Sequence, residues 1–65
     1  MASSAIPAEW TVTQSDLEGG HYQETHRTTR IFALKDGRFY IEGTIALPTL
    51  DLARATIDEL AKPRN

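Results

Sequence analysis

Apolar and polar positions along the chain change rhythm. From Ile31 to Leu47 apolar side chains dominate and alternate loosely with polar ones, the period-two pattern of half-buried strands. From Leu52 to Leu60 the spacing becomes three and four, through Leu52, Ala53, Thr56, Ile57 and Leu60, which is one stripe of a helix. Ahead of both, Trp10 and Val12 stand as an alternating outpost in a polar stretch.

The segment Leu34-Lys35-Asp36-Gly37-Arg38-Phe39 separates two apolar-rich runs. Asp-Gly in that setting is a strong hairpin signal, because both residues tolerate positive φ in a two-residue turn. A turn centred on Asp36-Gly37 pairs Lys35 with Arg38, Leu34 with Phe39, Ala33 with Tyr40, Phe32 with Ile41 and Ile31 with Glu42. Alternation then puts Phe32, Leu34, Phe39 and Ile41, continued by Ile45 and Leu47, on a core face. Thr29, Ile31, Ala33, Lys35, Arg38, Tyr40, Glu42 and Thr44 make the outer face.

Pro48 cannot continue a central strand, and Thr49 is suited to cap a helix. Asp51 falls in the first turn, where the helix dipole favours a carboxylate. Arg54 and Asp58, four apart, can pair on the polar side, and Pro63 ends the helix. Glu9 to Thr13 alternates and is rich in strand formers, so it reads as a first strand. Gln14 to Gly20 is polar and closes on Gly19-Gly20, a loop. His21 to Leu34 reads as one long second strand with a bulge or bend in its polar first half. The expected fold class is α+β: a three-stranded antiparallel β-meander followed by one C-terminal α-helix packed on one sheet face (β-β-β-α). The 65 residues make a single small domain, with residues 1–8 and 63–65 expected to fray.

Composition narrows the function classes. The 7 Lys and Arg against 9 Asp and Glu give a formal net charge of −2, which excludes a strongly basic nucleic-acid protein and a polybasic membrane binder. Without cysteine there is no disulfide framework and no Cys-based metal site, and a reducing compartment suits the chain. No apolar run nears the roughly 20 residues of a membrane helix. Met1 to Pro7 lacks the basic and apolar regions of a secretory leader. The expected location is cytoplasmic.

Candidate chemistry is sparse. His21, Glu24 and His26 lie close in sequence, but on a regular strand His21 and His26 point to opposite faces and no third strong metal ligand accompanies them. They read as two exposed histidines. Ser3, Ser4 and Ser15 carry no nucleophile-elbow pattern, and Gly19-Gly20 is no phosphate loop. Asp58 and Glu59 diverge by about 100° on a helix. A chain of this size has little room for a pocket of several hundred cubic ångströms. No enzyme activity, cofactor or metal is expected.

Surfaces offer more. Arg27, Arg30, Lys35 and Arg38 stand against Asp36 alone in their segment. Basic side chains beside Tyr40 on an open sheet face suit phosphate contact and base stacking. Three-stranded sheets backed by one helix read DNA in the arm-site domains of some phage integrases, a likeness of topology. The net acidic charge opposes such steering. The same face offers Ile31, Ala33, Tyr40 and Ala46 ringed by arginine, the composition of a protein-interface centre. Free sheet edges also invite a twin or a target strand. The partner-binding residues expected are Arg27, Ile31, Lys35, Arg38 and Tyr40.

Lys35-Asp36-Gly37-Arg38-Phe39-Tyr40-Ile41-Glu42-Gly43, followed by Thr49 to Asp58, is similar to a hairpin-plus-helix pattern of small bacterial and phage-borne proteins. The resemblance covers about the last half of the chain, carries over no functional residue, and implies an accessory protein of phage or plasmid type. The expected function is a small non-enzymatic interaction module that binds and modulates a larger protein. It is expected to be a homodimer, since self-association adds the burial a small core lacks. The alternative is weak nucleic-acid binding by the basic outer face.

Overall fold

The computed structural model describes residues 7–62. Four strands form one antiparallel sheet in chain order: β1 (His21–His26), β2 (Thr29–Ala33), β3 (Phe39–Ile41) and β4 (Ala46–Leu47). A 3-10 turn (Ala8–Trp10) and a short helix, α1 (Gln14–Glu18), precede the sheet; helix α2 (Leu50–Ala61) follows and packs on one sheet face. The architecture is the α+β sheet-and-helix expected, with four strands in place of three.

The strand count differs because both long runs double back. His21–Leu34 is a hairpin reversing at Arg27-Thr28, with His26 paired to Thr29. Arg27 and Thr28 have φ of 52° and 67°, so both central residues are left-handed, as in a type I′ turn. Arg-Thr is not a turn dipeptide, and positive φ at a β-branched residue is strained, so composition does not mark this reversal. The second run turns back after Ile41. There Thr44 N–H donates to Ile41 O at 2.9 Å and Ile41 N–H to Ile45 O at 2.8 Å. Gly43, at φ 82°, supplies the left-handed residue.

Glu9–Thr13, expected as the first strand, is not one. Trp10 and Thr11 N–H groups donate to the Pro7 and Ala8 carbonyls at 2.9 and 3.1 Å. The Arg38 guanidinium donates to the carbonyls of Glu9 and Thr11 at 2.7 and 2.8 Å. A side chain thus takes backbone acceptors that a sheet ladder would need. Ala8 is the first residue of the 3-10 turn, and residues 1–6 and 63–65 lie outside the described residues. Gln14–Glu18, expected as loop, is α1. Thr13 Oγ1 accepts from Asp16 N–H at 3.2 Å while Asp16 Oδ2 accepts from Thr13 N–H at 3.0 Å, a reciprocal capping box.

The β2–β3 register differs by one residue from the expected one. Asp36-Gly37 does mark the β2–β3 reversal, but through a three-residue loop, Lys35-Asp36-Gly37. Gly37 N–H donates to Leu34 O at 3.1 Å, and Leu34 N–H donates to Arg38 O at 2.9 Å. Only Gly37, at φ 96°, is left-handed; Asp36 is not. This is the geometry of a type I turn followed by a left-handed residue. The extra loop residue pairs Ile31 with Ile41, Phe32 with Tyr40 and Ala33 with Phe39. A slip of one residue exchanges the two faces of a strand. Ile31, expected outside, is 0 % exposed; Phe32, expected in the core, lies half-buried opposite it.

The core therefore holds Ile31, Ile41 and Leu47 from the sheet and Ala53 and Ile57 from α2, with Trp10, Phe39, Ile45 and Leu50 packed around them. Leu34 is also buried, at 5 %. Thr49 caps α2 as expected, accepting from Leu52 N–H at 3.1 Å. The helix stripe is narrower than its spacing suggests, for Leu52 and Leu60 are 47 % and 65 % exposed. Arg54 and Asp58 do not pair with each other; both reach across to β1 and its turn. No helix among the described residues is long and apolar enough to cross a membrane.

Two stability outcomes follow from this packing. Ile31→Ala should cost about 2–5 kcal/mol, more than Phe32→Ala, in urea titrations followed by circular dichroism; the reverse ranking would restore the other register. Thr28→Gly should raise stability by roughly 1 kcal/mol, because glycine relieves positive-φ strain by more than its added unfolded-state entropy costs. An unchanged or lowered urea midpoint would contradict the strained turn.

Candidate functional site

The residues expected to form a site do not gather. Ile31 is in the core. Arg27 sits in the β1–β2 turn and donates from Nε to Asp58 Oδ1 at 2.7 Å, so it faces α2. Lys35 is exposed in the β2–β3 loop. Arg38 is only 18 % exposed at its side chain and is consumed by structure. Besides the two carbonyls, it meets Asp36 Oδ2 at 2.8 Å and Asp16 Oδ2 at 3.1 Å, tying α1 and the N-terminal segment to the hairpin. Tyr40 alone of the five stands on the sheet face away from α2.

That face carries a different set. Cross-strand partners share a face, so Tyr22, Phe32 and Tyr40 form one row over β1, β2 and β3. Tyr22 meets Phe32 edge-on, with ring centroids 6.2 Å apart and planes at 78°; Phe32 and Tyr40 are 6.3 Å apart at 40°. Such pairings hold aromatic rings in fixed relative positions. Tyr22 is 54 % exposed. The next row holds Thr25, Arg30 and Glu42. Arg30 clasps Glu42 with two bonds, of 3.0 and 3.1 Å.

A bulge in β1 makes the row possible. Tyr22 pairs with Phe32 and Glu24 with Ile31, leaving Gln23 without a partner. On a regular strand Tyr22 and Glu24 would share a face. The extra residue sends Tyr22 outward and turns Glu24 and His26 toward α2. There Glu24 takes two bonds from Arg54, at 2.7 and 2.8 Å, and His26 Nε2 lies 2.9 Å from Asp58 Oδ1.

The tyrosine hydroxyls are already engaged. Tyr22 Oη bonds Thr25 Oγ1 at 2.8 Å, and Tyr40 Oη accepts from Gly43 N–H at 3.0 Å. The row thus presents ring faces with satisfied polar tips. Sequence does not mark Phe32 as an outward ring because Ile31 to Leu34 is apolar in either phase of alternation and only the loop length decides which phase faces out; Tyr22 faces out through the β1 bulge, which the polar run around it does not reveal.

Electrostatics closes off a basic footprint. Arg27, Arg30, Arg38 and Arg54 each contact a carboxylate, and Lys62 meets Glu59 at 3.0 Å. Among the described residues Lys35 is the only Lys or Arg without such a partner. The Arg54 hydrogen bonds hold the Glu24 carboxyl below its ordinary range, and the His26 and Arg27 hydrogen bonds do the same for Asp58. Among the described residues no three His, Asp or Glu side chains gather as a metal site requires. A cleft of about 280 Å³ lies where the end of α2 meets the β1–β2 and β3–β4 turns, floored by Ile41 and Ile57 and rimmed by Arg27, Thr28, Glu42 and Thr44.

Carboxylates made more acidic by folding contribute stability that is complete above the unfolded carboxylate range and drains away as pH falls through the folded values. The urea midpoint should fall between about pH 5 and pH 2, and Glu24→Gln should make that fall shallower. Equal slopes for wild type and variant would remove the Glu24–Arg54 pair as a source of acid sensitivity. No protein-family model, curated protein or solved structure matches the chain.

Proposed function

We propose that this chain is a small non-enzymatic interaction module, an accessory protein that binds and modulates a larger protein through the sheet face opposite α2. The observation that carries the reading is the Tyr22–Phe32–Tyr40 row: three aromatic rings side by side on an open sheet face, Tyr22 exposed and Phe32 and Tyr40 half-buried beside it. Aromatic side chains held rigid by their neighbours bury area at little entropic cost and are the commonest anchors of protein interfaces. The rings lie beside a neutralised Arg30–Glu42 pair, which suits the polar rim of such a patch.

The pairing of the arginines opposes the nucleic-acid alternative. Phosphate binding draws on unpaired cations, and the guanidinium groups expected to supply it are bound to Asp16, Asp36, Glu42 and Asp58. The face offers rings without a positive field around them.

Affinity capture from the native host, with bound material identified by mass spectrometry, tests the proposal. A specific protein captured by wild type should be lost about tenfold or more with the Tyr22→Ala/Phe32→Ala double variant and retained with Lys35→Ala. Capture that ignores the aromatic double variant would place the contact elsewhere. Co-purifying nucleic acid, released by salt and lost with Lys35→Ala, would support the alternative instead.

A further inference from the structure

We infer that the outer sheet face pairs with the same face of a second copy of this chain, about a two-fold axis running along the strands between β2 and β3. This rests on reading the outer face as the contact surface, and it names the occupant of that face in the free protein, a weakly held second copy that the larger protein displaces. The geometry is self-matching. Such an axis exchanges each β2 position with the β3 position beside it. Phe32 then lies over the partner's Tyr40, and Arg30 over the partner's Glu42. Both matches come from register alone, because Phe32 pairs with Tyr40 within one copy and Glu42 N–H donates to Arg30 O at 3.0 Å. An isologous interface needs this property: whatever one copy presents at a position, the other must complement at its exchanged position. Here aromatic meets aromatic and cation meets anion, and the bidentate Arg30–Glu42 pair can be shared across the junction.

The face is a better junction than either edge. β1 is the longer edge strand, but its bulge at Gln23 interrupts the regular spacing that strand pairing needs, and Glu24 and His26 are committed to α2. β4 has two residues and packs against the 3-10 turn. The outer face carries no such defence. It has no lysine, and its two charges cancel. The engaged tyrosine hydroxyls let the rings be covered without stranding a polar group. The need is present too, for only seven of the described residues are buried, and face-to-face sheet packing would add a second apolar layer. The patch spans three rings, at the small end of specific interfaces, so dissociation in the micromolar range is expected.

Sedimentation equilibrium over roughly 10–500 µM tests this. Wild type should approach twice the monomer mass, and Phe32→Asp should sediment as a folded monomer, its fold checked by circular dichroism. Charge exchange gives an independent arm with exposed positions. Arg30→Glu leaves two acidic positions on the face, and Glu42→Arg leaves two basic ones. Each variant alone sets like charges against each other across the two-fold and should dimerise at least about tenfold more weakly than wild type. Mixed in equal amounts, every acidic position meets a basic one across the junction, and association should return toward the wild-type value. Wild type that stays monomeric throughout, a dimer that survives Phe32→Asp, or a mixture that associates no better than its components would each overturn self-pairing. Loss of self-pairing alone leaves the face open to a heterologous partner. Capture that ignores Tyr22→Ala/Phe32→Ala would instead remove the contact face itself, so the two failures read differently.

Discussion

The phase of the β2–β3 hairpin decides what every other part of the molecule does. Gly37 adopts a left-handed conformation after two ordinary turn residues, so the loop holds three residues and Ile31 faces Ile41. With a two-residue loop the same strands would offer Phe32 to the helix and Ile31 to water. The difference is one residue of loop, yet it exchanges which side chains hold the fold and which remain for contact. Asp36 favours the observed geometry, since its carboxylate accepts from Arg38 N–H at 3.1 Å and meets the Arg38 guanidinium, fastening the loop to the first residue after it.

The β1 bulge does for the first strand what that loop does for the next two. Its extra residue gives one short strand two tasks, an aromatic group for the open face and two polar groups for the helix. The helix is consequently held by two kinds of force. Ala53 and Ile57 sit in the apolar core, while Arg54 and Asp58 on the adjoining side bind Glu24, His26 and Arg27. These exposed ion pairs add little to stability individually, but they fix where α2 lies over the sheet. They also absorb the guanidinium charge that would otherwise give the surface a positive field.

Much of this fold was legible from the chain. The helix, its Thr49 cap, the reversal at Asp36-Gly37 and the sheet-plus-helix class all follow from local chemistry. What escaped was set by non-local constraints. The Arg27-Thr28 turn uses residues that turns avoid, so it is imposed by pairing of the flanking strands. The segment around Trp10 looks like a strand until Arg38 claims its carbonyls. Phe32 and Ile31 could each be core, because every position from Ile31 to Leu34 is apolar and alternation loses its meaning there. Of the anticipated contact residues only Tyr40 keeps its place on the open face. The capping box at Thr13-Gln14-Ser15-Asp16 was readable and marks α1, a signal easily passed over in a polar stretch.

One feature of β1 reaches beyond recognition. The strand contributes nothing to the central apolar cluster, and is kept in place by its ladder with β2, by the Tyr22–Phe32 contact and by ion pairs to α2. It is therefore an edge strand held by backbone pairing and surface ion pairs rather than by the apolar core. Its departure would uncover the backbone of β2 along Ile31 and Phe32, an adhesive ribbon ready to template aggregation.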